Sequence, residues 1–143
     1  MDGTSHILLP KGGKTLTDVH GTPRDFFDKL HAEFNFTLDP CSDGTNALCA
    51  KFYTPETDGL AHSWAGERVF MNPPYSDMKR WMAKAHLESL FGSLVVCLVP
   101  VRTDTAWWHD YAMLGEIRFL RGRLRFGDAK TNAPFPSAVV VFR

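Results

Sequence analysis

The stretch Arg68-Val69-Phe70-Met71-Asn72-Pro73-Pro74-Tyr75 joins a short apolar run to two consecutive prolines. The apolar run predicts a strand that ends at Asn72. The prolines fix two φ angles and remove two backbone donors, so the chain leaves the strand as a stiff arm with carbonyls that can accept hydrogen bonds. With the Asn72 amide oxygen and the Tyr75 ring, this arm can hold a planar group that bears an NH₂. A proline turn with Tyr75 as core filler is the competing interpretation.

Helical and strand patterns alternate on both sides of this stretch. Thr22-Pro23 predicts a helix start with Thr22 as N-cap, and apolar residues at helical spacing follow it. Further helices are predicted at residues 76–91, capped by Ser76, and 103–114, capped by Thr103 or Asp104. Strands are predicted at residues 36–38, 68–71, 93–99 and 116–120, with residues 47–53 left open between a helical turn and a short strand. A last pair of strands, 123–126 and 137–142, is joined by a loop. The alternation predicts an α/β doubly wound domain with a mostly parallel sheet and a C-terminal antiparallel hairpin.

Length and composition indicate one globular domain. The chain has 143 residues, of which 44% are hydrophobic and 22% charged, and we expect residues 1–19 to form a flexible arm and residues 20–143 a single domain. No apolar run is long enough for a membrane span, and the first residues lack the order of a signal peptide, so a cytoplasmic location is expected. Three cysteines without a Cys-x-x-Cys pair, and six histidines without ligand spacing, predict no metal.

The charge pattern indicates one local basic cluster rather than a generally basic protein. The formal net charge is zero, which is not typical of a strong non-specific DNA binder. The basic residues of the stretch 118–130 are Arg118, Arg121, Arg123, Arg125 and Lys130. They can meet phosphates, or they can be solvent-facing positions on a hairpin.

Distinctive residues follow three of the predicted strands: Asp39-Pro40-Cys41, Asn72-Pro73-Pro74-Tyr75 and Pro100-Val101-Arg102-Thr103-Asp104. In open α/β sheets, ligands bind beyond the carboxyl ends of strands. The sequence therefore predicts one crevice that holds a cofactor beside an amine substrate.

The order of these motifs resembles the phage-type DNA N-6-adenine methyltransferase (Dam) family. The resemblance runs from about His20 to the C-terminus. It rests on Thr22-Pro23, Leu38-Asp39-Pro40-Cys41, Asp58-Gly59-Leu60 with Trp64, Asn72-Pro73-Pro74-Tyr75-Ser76, Pro100-Val101-Arg102-Thr103-Asp104-Thr105 with Trp107 or Trp108, and Phe119-Leu120-Arg121-Gly122-Arg123-Leu124-Arg125-Phe126. It implies a Rossmann-like fold that uses S-adenosylmethionine, in a minimal domain without a separate target-recognition domain.

The resemblance also implies roles for cofactor-binding residues. Thr22-Pro23 would line the methionine end of S-adenosylmethionine. Asp39, followed by Pro40 and Cys41, matches the acidic position that pairs with the cofactor amino group, and Asp58 resembles the acceptor for the cofactor adenine. A helix cap and turn aspartates are the plain structural interpretations of Thr22, Asp39 and Asp58.

The catalytic and DNA-binding residues are implied in the same way. Asn72 and the Pro73 carbonyl would accept from the target amine, with Pro74 stiffening the arm, and Tyr75 would stack on a base flipped out of double-stranded DNA. Asn72 also counts among the residues facing the cofactor. The expected DNA contacts are Tyr75, Arg102, Trp107, Arg121, Arg123, Arg125 and Lys130. Adjacent tryptophans more often divide between core and surface, which is the alternative for Trp107.

Other functions remain compatible with the sequence. The same fold can act on cytosine N4, on RNA adenine or on a protein glutamine amide. A non-catalytic cofactor-binding or nucleic-acid-binding protein is a further alternative, which the single-glycine loop 41–46 favours and the intact tetrapeptide disfavours.

Overall fold

A computed structural model describes residues 21–127 and 129–143 as a mixed α/β fold built on a six-stranded sheet. The expected N-terminal arm, residues 1–19, lies outside the described residues. The helices are α1 (Arg24–Phe34), α2 (Met78–Leu90) and α3 (Ala106–Asp110), and the strands are β1 (Leu38–Asp39), β2 (Lys51–Phe52), β3 (Arg68–Met71), β4 (Leu94–Pro100), β5 (Glu116–Phe119) and β6 (Ser137–Phe142). Short 3₁₀ turns are formed by Gly59–Ala61, Tyr75–Asp77 and Ala112–Leu114.

The sheet has the strand order β2-β1-β3-β4-β6-β5. The first four of these strands are mutually parallel, and β6 runs antiparallel to both of its neighbours. The prediction of a mostly parallel sheet with an antiparallel C-terminal part is confirmed. As a result, the carboxyl ends of β1, β3 and β4 lie side by side at the same end of the sheet.

Two apolar layers cover the sheet. On one face, α1 packs Phe27, Leu30 and Phe34 against residues of β3, β4 and β6, as its spacing predicts. On the other face, Trp81 and Met82 of α2 join a core that also includes both tryptophans of α3. β4 is buried along nearly its whole length, which is typical of a central strand covered by helices on both sides.

The final strand pair differs from the prediction. β6 pairs with β5, and residues 123–126 form no strand. Residues 120–127 and 129–136 instead lie against each other, with the Ala133 amide donating to the Leu124 carbonyl at 2.8 Å. The alternation Arg-Leu-Arg-Phe resembles a strand because Leu124 and Phe126 both pack on the core at the α1 face, but this run pairs with no other strand of the sheet.

The predicted helix starts are also wrong in detail. α1, α2 and α3 begin at Arg24, Met78 and Ala106, and none has a side-chain cap at its first turn. The 3₁₀ turn Tyr75–Asp77 precedes α2, so Ser76 is not its cap. The open question at residues 47–53 is resolved by the short strand β2.

Candidate functional site

A cleft of about 290 Å³ lies where the ends of β1 and β3 meet the turn before Gly59–Ala61. Its lining comes from four separated parts of the chain: Pro40, Cys41 and Ser42; Thr54, Pro55, Asp58 and Gly59; Pro74; and Trp81. The Asn-Pro-Pro-Tyr arm, through Pro74, therefore borders the same cleft as the loop after β1 and as Asp58. These are two of the three strand ends that the sequence predicted to share a crevice.

Asp39 shapes the loop beside this cleft. Its side chain is 4% exposed, with Oδ1 accepting from the Cys41 amide and Oδ2 from the Leu48 amide, both at 3.1 Å. Its carbonyl also accepts from the Tyr53 amide at 3.0 Å. Asp39 thus lies behind the loop, and it positions the Pro40-Cys41 backbone that lines the cleft.

The loop after β1 is folded with one glycine by means of side-chain hydrogen bonds. Gly44 has a φ of 96°, a region that glycine occupies at little cost. Its amide donates to Ser42 Oγ at 2.9 Å, and Asp43 Oδ1 accepts from the Thr45 and Asn46 amides at 2.8 and 3.1 Å. Short polar side chains that bond nearby backbone groups stabilise such turns. A second glycine is therefore not needed for this loop conformation.

Asp58 lies at the rim of the cleft, in a turn whose next residue has room only for a glycine. The Asp58 backbone is left-handed, with a φ of 54°, and its Oδ1 accepts from the Leu60 amide at 3.1 Å. A Cβ on Gly59 would lie 2.5 Å from the Pro40 carbonyl oxygen and 3.2 Å from the Trp81 ring. Gly59 therefore allows the Asp58 turn to contact the end of β1.

A buried tryptophan holds the Asp58 turn from behind. Trp64 is fully buried, and its Nε1–H donates to the Gly59 carbonyl at 2.9 Å. The Trp64 amide donates to Glu88 Oε1 at 2.8 Å, and Glu88 Oε2 forms an ion pair with Lys84 at 2.9 Å. The sequence did not predict a role for Glu88, because its hydrogen bond with the Trp64 amide depends on the packing of α2 against a distant loop.

Asn72 is held in a defined orientation by Thr22. Asn72 is 6% exposed, and its Nδ2 donates to Thr22 Oγ1 at 3.0 Å. Because Nδ2 is directed at Thr22, the amide oxygen Oδ1 is directed away from Thr22. Thr22 thus acts on the tetrapeptide instead of capping α1, while Pro23 contributes its carbonyl to the first hydrogen bond of the helix, from Phe27 at 3.0 Å.

Tyr75 belongs to an aromatic group that the sequence did not predict. The Phe135 ring meets the Tyr75 ring edge-on, with centroids 5.6 Å apart, and Phe126 lies 6.0 Å from Phe135. Arg102, just beyond β4, places its guanidinium carbon 5.8 Å from the Phe135 centroid. The carboxyl ends of β3 and β4 are thereby joined through Phe135. The only sequence signal for Phe135 is its position between Pro134 and Pro136.

Comparison with known sequences identifies the family. A sequence model of the family described as DNA N-6-adenine-methyltransferase (Dam) matches residues 11–140. The chain belongs to the DNA N-6-adenine-methyltransferase family. A DNA N-6-adenine-methyltransferase of Escherichia phage T1 is 31% identical over 95 residues, which cover 65% of this chain and 40% of the phage protein. Another, of Haemophilus phage HP1, is 35% identical over 98 residues, which cover 66% of this chain and 57% of that protein. The chain thus matches about half the length of these relatives.

Among the expected nucleic-acid contacts of this Dam-family chain, the basic residues and Trp107 differ in exposure. Arg102, Arg121, Arg123, Arg125 and Lys130 are all exposed. Arg118 is instead bound to Glu33 by two hydrogen bonds of 2.7 and 2.8 Å and to Glu116 by one of 2.6 Å. Trp107 is 9% exposed and packs on Trp108 in the core, which favours its core interpretation over base stacking.

The described ranges 21–127 and 129–143 contain no group of three or more His, Cys, Asp or Glu side chains arranged to hold a metal ion. In the same ranges, no helix is long and apolar enough to cross a membrane.

Proposed function

We propose that residues 20–143 form one minimal, Rossmann-like methyltransferase domain that transfers a methyl group from S-adenosylmethionine to the N6 amino group of adenine in DNA. The observation that carries this proposal is the shared cleft: Pro74 of the amine-binding arm borders the same space as Asp58 and the loop after β1. The parallel strands β2-β1-β3-β4, extended by the antiparallel β6, support the fold assignment. A DNA substrate would place the protein in the cytoplasm.

The cleft fits the proposed cofactor in the chemistry of its lining, which combines a carboxylate with apolar and small polar residues. Asp58 would accept from the adenine amine of the cofactor, and Pro40, Cys41 and Ser42 would contact it from the β1 side. Asp39 would act on the amino group through the loop that it holds. When bound, S-adenosylmethionine supplies an electrophilic methyl group on a sulfonium.

Asn72 and Pro73 would activate the target amine. The N6 lone pair is delocalised into the adenine ring, and two acceptors, the Asn72 amide oxygen and the Pro73 carbonyl, favour tetrahedral nitrogen. As the nitrogen gains positive charge in the transition state, both oxygens stabilise it more strongly than they stabilise the ground state. Thr22 contributes by fixing the amide orientation through its 3.0 Å hydrogen bond. Alignment of nitrogen with the methyl carbon would supply the rest of the rate enhancement.

Tyr75 would stack on the target base after its extrusion from double-stranded DNA. An adenine inside the duplex cannot reach the cleft, so it must be flipped. Tyr75 and Phe135 make a T-shaped contact with centroids 5.6 Å apart, so Phe135 would lie beside the stacked base. The Arg102 guanidinium carbon lies 5.8 Å from the Phe135 centroid. The exposed arginines 121, 123 and 125 and Lys130 would contact phosphates, which makes binding depend on salt.

A panel of acceptors tests the proposal. The protein is incubated with methyl-labelled S-adenosylmethionine and, separately, unmethylated genomic DNA, single-stranded RNA and a glutamine peptide. The proposal expects label in the DNA alone, recovered as N6-methyladenine by nucleoside mass spectrometry. Label recovered as N4-methylcytosine, or label in the RNA or the peptide, would replace adenine in DNA by that acceptor. Cofactor binding without any transfer would indicate a binding protein.

A further inference from the structure

The strand β5 forms one edge of the sheet and has an outward-facing row of backbone groups. The Leu120 amide donates to the Ser137 carbonyl at 3.3 Å, and the pairing continues from Phe119 opposite Ala138 to Glu116 opposite Val141. Inward hydrogen bonding alternates along an antiparallel pair, so residues 116, 118 and 120 face β6. Ile117 and Phe119 therefore direct their backbone N–H and C=O groups away from the sheet, whereas the Gly115 N–H, just before β5, donates to the Ala112 carbonyl at 3.1 Å. Within the described ranges, none of these outward groups of Ile117 and Phe119 has a backbone partner.

An apolar surface lies beside this edge, on the face covered by α2. Phe119 is 68% exposed and Leu114 is 59% exposed, and the end of α2 adds Leu90 and Phe91 at 67% and 76%. Leu90, Leu114 and Phe142 line a groove of about 560 Å³ that also reaches Glu116 and Arg143. Several large, exposed apolar side chains that lie close together are typical of an interaction surface. An edge strand whose outward backbone groups have no partner can pair with another strand.

We propose that this edge pairs with the β5 edge of a second copy of the chain, in an antiparallel register centred on Ile117. The two-fold axis would make Ile117 face itself in a hydrogen-bonded pair. Phe119 of each copy would then lie opposite Gly115 of the other. The Val140 and Phe142 side chains fill the place of a Cβ on Gly115, so the Phe119 ring would pack over Phe142 in the groove that Leu114 and Leu90 also line in the second copy.

The charges on the opposite face select the same register. With Ile117 on the axis, Glu116 of one copy lies directly opposite Arg118 of the other, in a non-hydrogen-bonded pair where side chains are closest. Within one copy Arg118 binds Glu33 and Glu116, and Arg143 binds Glu116 at 2.9 Å. The edge thus carries alternating acids and bases, and the chain has no formal net charge to oppose association. A self-complementary edge of this kind favours a second copy over an unrelated partner.

Cysteine crosslinking tests the register. In a Cys49→Ser background, where the remaining cysteines are buried, Ile117→Cys places two thiols on the axis, about 5.5 Å apart between Cα atoms, within disulfide range. Phe119→Cys is the matched control on the same strand, because residues 119 of the two copies would be about 14 Å apart at 3.4 Å per residue. Mild oxidation is expected to give a covalent dimer for Ile117→Cys and none for Phe119→Cys. A crosslink through position 119 alone, or through neither position, would overturn the proposed register.

Sedimentation of the full chain tests the association itself. A concentration-dependent dimer is expected, weakened at least tenfold by Phe119→Lys. Phe52→Lys at the opposite edge strand, β2, is the control, since Phe52 is also exposed and its replacement is expected to leave the dimer intact. Circular dichroism establishes that both variants are folded. A monomer at all concentrations, or a dimer indifferent to Phe119→Lys, contradicts the proposal. Neither outcome depends on methyl transfer, so the proposal stands or falls independently of the proposed function.

Discussion

Replacing Gly59 by alanine tests how the Asp58 turn contacts the end of β1. The added Cβ would lie 2.5 Å from the Pro40 carbonyl oxygen and 3.1 Å from the Pro40 Cβ. Two segments of backbone would have to separate, which typically costs about 1–3 kcal/mol of stability. Gly59 does not have a left-handed φ, so without the clash alanine would stabilise the protein by about 0.4–1 kcal/mol through the unfolded chain. Gly59→Ala therefore lowers the free energy of unfolding if the close contact exists, and raises it if the contact is absent.

The assay combines urea unfolding with titration of S-adenosylmethionine. Gly59→Ala is expected to lower the free energy of unfolding and to weaken cofactor binding, because Asp58 and Pro40 both line the cleft. Gly66→Ala is the control for a loss of stability away from the cleft: its φ of 77° strains an alanine, but nothing lies within 4 Å of the new Cβ. It is expected to lose stability and to keep its cofactor affinity. A Gly59→Ala protein as stable as the parent, with unchanged affinity, would refute the close contact.

Three further predictions concern the supports of the site. Thr22→Val removes the acceptor for the Asn72 amide, about 1 kcal/mol of net hydrogen bonding, and is expected to lower kcat about fivefold at saturating cofactor, whereas Thr22→Ser restores the rate. Glu88→Ala leaves the buried Trp64 amide without its acceptor and should cost about 1–3 kcal/mol in urea unfolding, with Glu88→Gln milder; equal stability of parent and Glu88→Ala would contradict it. The hydrogen bonds that Glu67 accepts from Lys51 and Thr37 hold its pKa below the ordinary 4.5, so it contributes stability above that pH that is lost as pH falls through its folded pKa. The stability difference between parent and Glu67→Gln should therefore be present at neutral pH and shrink in acid; a difference independent of pH would refute it.

The parts of the site that lie on strand ends were accessible from sequence because local chemistry marks them. Two prolines after an apolar run indicate the end of β3. In the same way, a proline after the short run 36–38 locates Asp39 at the end of β1. Neither inference needs a distant contact, since strand periodicity and proline geometry act over a few residues. The buried strand β4 was predicted for the same reason.

The missing parts depend on contacts between distant segments. Phe135 lies against Tyr75 only because residues 120–127 and 129–136 fold back on the sheet, and residues 123–126 alternate as regularly as β5 does. Periodicity identifies runs that suit a strand, but it does not say which of two adjacent runs will pair with β6. Thr22 is similar: its type suits a helix cap, yet its hydroxyl binds Asn72, fifty residues along the chain.

Asn72 is proposed to activate an adenine amine beside a bound cofactor. The most direct measurement compares the parent and Asn72→Ala with labelled S-adenosylmethionine and unmethylated duplex DNA, by nucleoside mass spectrometry and by cofactor titration on the same preparations. N6-methyladenine is expected from the parent, with a loss of at least about a hundredfold in the variant at saturating cofactor, as for removal of a transition-state hydrogen-bonding group. N6-methyladenine formed at similar rates by both proteins would contradict it.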